Sequence, residues 1–214
     1  MFLLGLMFAL VSATAVSSAS SSDKLTAAAP RIVALGDSLT SGHGIGVENA
    51  YPAILQQRLV SAGLDFQVVN AGISGDTSTG GLRRLARALD GNVRVLVVAL
   101  GANDGLRGVP VATLKSNLSR IIETAQARGI TVVLCAMEAM PTYGWDYTVA
   151  FHNAYGELAT RYRVPLVPFF LMSVMNDPQM MQPDRAHPNR VGAIRIADNI
   201  WRYLEPVLHG AMAQ

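Results

Sequence analysis

Short apolar segments alternate along the chain with segments in which apolar residues recur at helical spacing. The apolar segments are rich in β-branched residues and lack strict polar–apolar alternation, which is typical of strands covered on both faces. We predict five strands, at residues 31–35, 66–69, 93–100, 131–137 and 166–167. Helical spacing between and after them predicts helices within residues 54–59, 82–89, 114–125, 148–162 and 191–208. This order predicts an α/β fold in which helices cover both faces of a parallel sheet.

The length and composition indicate a short N-terminal targeting segment followed by one folded domain. The chain has 214 residues and is 50% apolar, which is enough for a single sizeable core within residues 27–214. An apolar run at 2–11, too short to span a bilayer, precedes a stretch of small residues at 12–22. We therefore interpret 1–26 as a signal peptide and linker, although no Lys or Arg precedes the apolar run. This predicts a periplasmic or secreted protein whose mature chain has no stable membrane span.

The charge distribution and the cysteine content indicate which binding partners and which covalent cross-links the protein can have. The 17 basic residues are spread among 15 acidic ones without a basic cluster, so we expect no nucleic-acid partner. The single cysteine, Cys135, lies in the fourth predicted strand and is expected to be a buried structural thiol. No disulfide can form within the chain, and we expect a monomer.

A serine follows the first predicted strand directly. In open parallel sheets, ligands bind at the carboxyl ends of the strands, where the strand order reverses. The sequence Gly36, Asp37, Ser38, Leu39 places the Ser38 hydroxyl at that edge, in a position to attack a substrate. Gly, Asp and Ser are also ordinary turn formers, so this motif by itself favours a structural turn over a catalytic serine.

A carboxylate and an imidazole occur close together before the last predicted helix. A serine hydroxyl becomes nucleophilic when a base accepts its proton, and that base is held in one tautomer by a further acceptor. Asp184 and His187 fit these two roles because one turn of chain presents them side by side. The same stretch also fits a loop in which Asp184 or Asn189 caps the last helix.

The loops after the second and third predicted strands contain candidate donors for a developing oxyanion. Such an anion needs at least two preorganised donors. Gly75 is the candidate for a backbone N–H, and Asn103 is the candidate for a side-chain amide N–H. The alternatives are a tight turn at Gly75 and local hydrogen bonds from Asn103 and Asp104 to nearby backbone.

Taken in order, these motifs closely resemble those of the SGNH (GDSL) hydrolase superfamily. Its four marker residues correspond to Ser38, Gly75, Asn103 and His187, and the resemblance covers residues 31 to about 205. Within the superfamily, the chain is most similar to the bacterial periplasmic thioesterase/lysophospholipase and arylesterase group. That likeness is carried by residues 74–77, 103–108, 168–170 and 187–190.

The resemblance implies a flavodoxin-like three-layer sandwich of about five parallel strands and an enzyme that hydrolyses small acyl esters or thioesters. Aryl esters, lysophospholipids and acyl-CoA are the substrate types it implies. It implies a catalytic triad of Ser38, His187 and Asp184, and no metal or organic cofactor. The implied oxyanion hole consists of the Ser38 N–H, the Gly75 N–H and the Asn103 side chain. A mobile loop that closes over the acyl chain is also implied, formed by Gly105, Leu106, Arg107, Gly108, Val109 and Pro110.

Three other functions remain open from the sequence. One is a carbohydrate acetylesterase, which uses the same carbonyl chemistry on the same fold. A second is a metal-assisted phosphoryl-transfer protein in which Asp37 is the nucleophile and Asp104 helps to hold a divalent cation. Metal-dependent hydrolysis through Asp37, Asp104 and His187 belongs to the same class. The third is a non-catalytic binding module that retains the fold.

The remaining histidines and a group of methionines are weaker candidates for the functional site. His43, His152 and His209 are expected at the surface or in loops. Four methionines precede Asp184, and we expect them to fill the core rather than line an acyl pocket. They are Met172, Met175, Met180 and Met181.

Overall fold

The computed structural model describes residues 29–212, and their central feature is a five-stranded sheet. All neighbouring strands are parallel, and their order across the sheet is β2-β1-β3-β4-β5. The strands are β1 (Arg31–Gly36), β2 (Gln67–Gly72), β3 (Val93–Ala99), β4 (Thr131–Cys135) and β5 (Leu166–Val167). The five predicted strands are confirmed, with ends that differ by a few residues.

Helices lie on both faces of the sheet. They are α1 (Ser38–Ser41), α2 (Tyr51–Ser61), α3 (Ser78–Arg83), α4 (Leu85–Ala88), α5 (Ala102–Leu106), α6 (Val111–Gln126), α7 (Trp145–Tyr162) and α8 (Arg190–Met212). Helices α2 and α8 pack against each other on one face, whereas α6 packs with α3 and α7 on the other. Crossovers between parallel strands are almost always right-handed, so connections on opposite sides of β1 place their helices on opposite faces. The predicted three-layer α/β sandwich is therefore confirmed.

The helix predicted at 82–89 is divided into two short helices. Helices α3 and α4 are separated at Arg84, whose guanidinium group lies at the edge of the sheet. There it donates to the carbonyl oxygens of Gly36 at 2.8 Å and Ala71 at 2.7 Å. The interruption thus directs Arg84 towards the carboxyl ends of β1 and β2.

The sheet forms the centre of the hydrophobic core. Nearly every side chain of β1, β3 and β4 is buried, because helices cover both faces. Cys135 in β4 is buried as predicted, and burial raises the pKa of its thiol. Among residues 29–212, no helix is long and apolar enough to cross a membrane. The predicted signal peptide and linker at 1–26 lie outside the described residues.

Candidate active site

The carboxyl ends of β1, β2 and β3 meet at the centre of one sheet edge. The chain passes from β1 to β2 on one side and builds β3, β4 and β5 on the other, so the strand order reverses at β1. Ser38 follows β1 as the first residue of α1, Gly75 follows β2, and Asn103 follows β3 within α5. The structure thus brings three predicted site residues to the position where open α/β sheets bind ligands.

The Ser38 hydroxyl lies within hydrogen-bonding distance of His187, which in turn contacts Asp184. Ser38 Oγ is 3.0 Å from His187 Nε2, and His187 Nδ1 is 2.7 Å from Asp184 Oδ2. Because a carboxylate only accepts hydrogen bonds, Nδ1 carries the proton and Nε2 is left to accept from the hydroxyl. Such an arrangement can activate a serine for attack on a carbonyl carbon.

A tight turn presents Asp184 and His187 on the same side of the chain. Asp184 Oδ1 accepts hydrogen bonds from the backbone N–H groups of Ala186 and His187, each at 3.0 Å. An antiparallel bridge between Met181 and Pro188 closes the loop. The hydrogen bond from the His187 ring, followed by the backbone donors, lowers the pKa of Asp184 to about 2. Asp184 is therefore a carboxylate at neutral and mildly acidic pH.

Two backbone N–H groups at this edge are free to donate to a ligand. The N–H groups of Ser38 and Gly75 form no hydrogen bond within the part of the chain that the structure describes. By contrast, the amide nitrogen of Asn103 donates to Asp37 Oδ2 at 3.1 Å and to the Asp76 carbonyl at 2.9 Å. Both amide hydrogens of Asn103 thus have acceptors in the protein. Asn103 can bind a ligand oxygen only if one of these hydrogen bonds is shared or released.

Asp37 is a buried carboxyl group beside Ser38. It caps the N-terminus of α1 by accepting the Leu39 N–H at 3.0 Å, and its other oxygen accepts from Asn103. Its side chain is fully buried. Burial raises the pKa of Asp37 to about 6, and the two hydrogen bonds oppose that rise. Asp37 is therefore close to its titration range at neutral pH.

We expect Asp37→Asn to change how stability depends on pH. The folded protein binds a proton at Asp37 more tightly than the unfolded chain does, because the pKa rises from 3.8 to about 6 on folding. The resulting contribution to stability is complete below the lower value and is lost as the pH rises through the higher one. A shift of about two pKa units corresponds to about 3 kcal/mol.

Denaturant unfolding of both proteins between about pH 4 and pH 7 tests this expectation. The free energy of unfolding of the wild type should fall by about 2 kcal/mol more than that of the variant over this range, because the contribution is not yet complete at pH 4. Parallel curves for the two proteins would show that Asp37 does not titrate as its burial suggests.

Arg84 connects two strand ends with the loop that carries Gly75. In addition to the Gly36 and Ala71 carbonyls, it binds Asp76, with Arg84 Nε donating to Asp76 Oδ2 at 2.6 Å. Asp76 also accepts from Asn103 through its backbone carbonyl. One guanidinium group therefore fixes the relative positions of the elements that carry the candidate donors.

Asp104 makes a second connection between these loops. Its buried carboxylate accepts from the Ser78 backbone N–H at 2.8 Å and from the Ser78 hydroxyl at 2.5 Å. Burial raises the pKa of Asp104, and the bonds to Ser78 oppose the rise. Because Asp104 follows Asn103, these bonds hold α5 against the first turn of α3.

A cavity of about 630 Å³ opens beside Ser38 and His187. Gly75 and Asn103 also line it, so it includes every predicted catalytic and oxyanion residue except Asp184. The remaining wall is mostly apolar. Its apolar members include Leu106, Met137, Met140, Phe169, Leu171 and Met175. A cavity with a few polar groups in an apolar wall is typical of a small-molecule site.

His43 is a cavity residue that the sequence did not reveal. Its side chain is exposed as expected, but its ring packs against that of His187, with centroids 4.5 Å apart. Gln182 Nε2 donates to the His43 carbonyl at 2.7 Å and to the Pro188 carbonyl at 2.9 Å. These bonds tie the turn after Ser38 to the loop that carries His187. The only feature of the sequence that could have identified His43 as a cavity residue is its closeness to Ser38 along the chain.

The other two histidines lie away from the cavity wall. His152 is exposed on α7, where its Nδ1 is 2.7 Å from Glu138 Oε1, and His209 is exposed near the end of α8. The surface positions predicted for these two histidines are confirmed.

The methionine prediction is partly wrong. Met180 packs against the core, and Met181 is buried in it, but Met172 is 49% exposed and Met175 is 37% exposed. Met175 and Met181 both line the cavity. The turns that follow β5 leave Met172 and Met175 partly exposed, and a run of methionines in sequence does not show which way each one faces.

Of the six residues predicted to form a mobile loop, the structure places Leu106 at the cavity. Gly105 and Leu106 lie in α5, and Arg107 Nη2 donates to the Gly75 carbonyl at 2.9 Å. Tyr147 donates its hydroxyl to the Val109 carbonyl at 2.9 Å. Closure of this loop over an acyl chain stays a prediction.

Comparison with known proteins identifies the family to which the chain belongs. The model of the GDSL-like Lipase/Acylhydrolase family matches residues 34–193, a range that includes Ser38, Gly75, Asn103 and His187. The chain belongs to this family. The superfamily resemblance inferred from the motifs is therefore confirmed.

Several curated proteins are similar to this GDSL-like chain. Esterase TesA of Pseudomonas aeruginosa is 42% identical over 183 residues, which are 85% of this chain and 91% of the relative. An arylesterase of Vibrio mimicus is 41% identical over 75% of this chain and 81% of the relative. Thioesterase 1/protease 1/lysophospholipase L1 of Escherichia coli K12 is 39% identical over 86% of this chain and 87% of the relative.

Solved structures of GDSL-like hydrolases share the fold. The crystal structure of TesA matches with a TM-score of 0.78 and 41% identity, and it covers 83% of this chain and 99% of that one. AlinE4, described as an SGNH-hydrolase family esterase, matches with a TM-score of 0.70 and 38% identity, covering 85% of this chain and 97% of that one.

Proposed function

We propose that the protein is a serine esterase that hydrolyses small acyl esters and thioesters through an acyl-enzyme intermediate. The observation that carries this proposal is the chain of contacts from Ser38 Oγ through the His187 ring to Asp184, at 3.0 Å and 2.7 Å. Membership of the GDSL-like family and relatives named esterase, arylesterase and thioesterase support the same reaction class.

The reaction has two steps. In the first step, Ser38 Oγ attacks the carbonyl carbon while His187 Nε2 takes its proton and returns it to the leaving alcohol or thiol. Water then attacks the acyl-enzyme with His187 again as the base, which releases the acid and restores Ser38. Asp184 keeps the imidazole in the productive tautomer and stabilises its charged form. The chain supplies every group in this scheme, so the scheme requires no cofactor.

The tetrahedral intermediate carries its negative charge on the former carbonyl oxygen. The N–H groups of Ser38 and Gly75, which have no acceptor among residues 29–212, are the first donors for this oxyanion. Asn103 is the third, provided that one of its hydrogen bonds to Asp37 or Asp76 lengthens as the charge develops. The apolar wall of the cavity accommodates the acyl chain, with Leu106 at its border.

A phosphoryl-transfer function with Asp37 as nucleophile gains no support from the geometry. The Asp37 carboxyl is fully buried, accepts from Leu39 and Asn103, and does not line the cavity. Asp104 is likewise buried and engaged by Ser78. Both carboxyl groups therefore act as structural acceptors, and unchanged activity in the presence of a chelator is the expected result.

A substrate panel tests the proposed function. Specificity constants are compared across p-nitrophenyl esters of increasing chain length, one thioester and one acetylated sugar on the same preparation. The proposal expects hydrolysis of the aryl esters and the thioester. Selective hydrolysis of the acetylated sugar would instead support a carbohydrate acetylesterase, and no hydrolysis of any member would contradict the proposal.

We expect turnover to fall as the pH is lowered from neutrality. Protonated His187 cannot accept the Ser38 proton, so the rate should decrease about tenfold per pH unit on the acid side. Asp184, with a pKa of about 2, stays ionised over this range and does not cause the loss.

Asp37 gains a proton in the same range, because its pKa is about 6, and the variant Asp37→Asn separates the two groups. The acid limb of the kcat/KM profile should persist in this variant. A profile that is flat from neutrality to mild acid would argue against His187 as the base.

We further propose that residues 27–214 form one domain, that the protein is a monomer, and that it is exported to the periplasm or secreted. The support for export is the apolar run at 2–11 followed by small residues at 12–22. N-terminal sequencing of the protein recovered from the periplasm or medium tests the export proposal, with a new terminus after the apolar run at 2–11 as the expected result. Gel filtration tests the monomer.

A further inference from the structure

Arg185 occupies a backbone conformation that favours glycine. Its φ is 56°, within the left-handed region, because Asp184 Oδ1 binds the N–H groups of both Ala186 and His187. The turn requires this conformation but does not require an arginine. A bulky residue held in a disfavoured conformation beside a reaction centre points to a role for its side chain.

The guanidinium group of Arg185 is available to a ligand. Arg185 is exposed, lines the cavity with Ser38 and His187, and forms no side-chain hydrogen bond or ion pair within residues 29–212. Asp184, the neighbour of Arg185 in sequence, and Glu138, an acidic residue of the cavity wall, are already paired with histidines. Asp184 is bound to His187, and Glu138 is bound to His152.

The chemistry of the reaction places the leaving group on the Arg185 side of the cavity. His187 Nε2 returns the proton to the leaving oxygen or sulfur, so that atom must lie within hydrogen-bonding distance of the ring. Arg185 precedes His187 in the same tight turn and borders the same opening. A group attached to the leaving atom therefore lies beside the loop that carries both His187 and Arg185.

We propose that Arg185 binds a phosphate group on the leaving alcohol or thiol and so favours phosphate-bearing substrates over neutral ones. The planar guanidinium group presents paired N–H donors that match two phosphate oxygens, and it remains charged at all working pH values. A second guanidinium group, that of Arg107, lies on the Gly75 side of the site and adds positive charge there. The inference rests on the proposed esterase function, because it needs a leaving group at His187.

Two matched substrate pairs test the inference. The first pair is 1-hexanoylglycerol and 1-hexanoylglycerol 3-phosphate, which differ only in the phosphate. The second pair is hexanoyl-pantetheine and hexanoyl-CoA, which present the same thioester without and with the adenosine nucleotide that carries the phosphates. The test variant is Arg185→Gly, which removes the guanidinium group and relieves the left-handed conformation, so folding is preserved. A matched control is Arg163→Gly, since Arg163 also has a positive φ, of 53°, but caps α7 and does not line the cavity.

In the wild type, kcat/KM should be about five- to tenfold higher for the phosphate-bearing member of at least one pair, mainly through KM. Arg185→Gly should bring that ratio close to one, because KM rises for the phosphate-bearing member and not for the neutral one. Arg163→Gly should leave the ratio unchanged. The pair that shows the effect identifies whether the phosphate belongs to a glycerol ester or to a nucleotide thioester.

A ratio that is the same in the wild type and in Arg185→Gly for both pairs overturns the inference. That result leaves the proposed function intact as long as the neutral esters are hydrolysed in a Ser38-dependent manner. Failure of the wild type to hydrolyse both these four compounds and the p-nitrophenyl esters overturns the proposed function itself. Hydrolysis of p-nitrophenyl esters but of none of the four compounds overturns the inference alone.

Discussion

In the variant Ser38→Ala, kcat for ester hydrolysis should fall on the order of 10⁵-fold, with little change in stability. Without the hydroxyl there is no nucleophile for His187 to activate, and the remaining donors can only assist direct attack by water. Ser38 is partly exposed at the first turn of α1, so loss of its oxygen leaves no cavity in the core. Initial rates with an aryl ester and the thermal unfolding midpoint measure the two effects.

A matched control comes from the same helix. Ser41 donates its hydroxyl to the Ser38 carbonyl at 3.3 Å and contacts Ser74 Oγ at 3.2 Å, but it does not contact His187. Ser41→Ala should therefore retain kcat within about threefold. Hydrolysis close to the wild-type rate in Ser38→Ala would refute the assignment of Ser38.

The second large effect concerns the dependence of Ser38 and His187 on each other. His187→Ala alone should lower kcat on the order of 10⁴-fold or more, because the hydroxyl then has no base. The double variant Ser38→Ala/His187→Ala should be no slower than Ser38→Ala. Groups that act as one unit lose their whole contribution when either is removed, whereas independent groups have effects that multiply.

Kinetics of the two single variants and the double variant complete this cycle. His152→Ala is the control for histidine loss, since His152 pairs with Glu138 on the exposed face of α7 and should retain kcat within about twofold. If the two losses multiply in the double variant, Ser38 and His187 do not act on the same step.

Much of the fold follows from local patterns. The five strands were predictable because strands covered on both faces are short, apolar and rich in β-branched residues, as in β3. The site was predictable because Ser38, Gly75 and Asn103 follow successive strands, and parallel strands share one carboxyl edge. These inferences require only the order of elements along the chain.

The interactions that position the site were not predictable, because they join residues far apart in sequence. Arg84 binds two strand ends and Asp76, and these contacts depend on where the sheet edge lies after folding. The same applies to the packing of His43 against His187. The hydrogen bonds from the Asn103 amide to Asp37 and Asp76 were not predictable either. The motif identifies Asn103 as a donor, but it does not show which groups accept from it before substrate binds.

Covalent capture of the acyl-transfer nucleophile tests the central claim most directly. A p-nitrophenyl alkylphosphonate should form a bond from phosphorus to Ser38 Oγ and release p-nitrophenolate, while His187 takes the hydroxyl proton. Intact mass and peptide mapping should then show one adduct per chain, on the peptide that contains Ser38, and none in Ser38→Ala. Hydrolysis of esters by a chain that carries no adduct, or an adduct on another residue, would contradict the account.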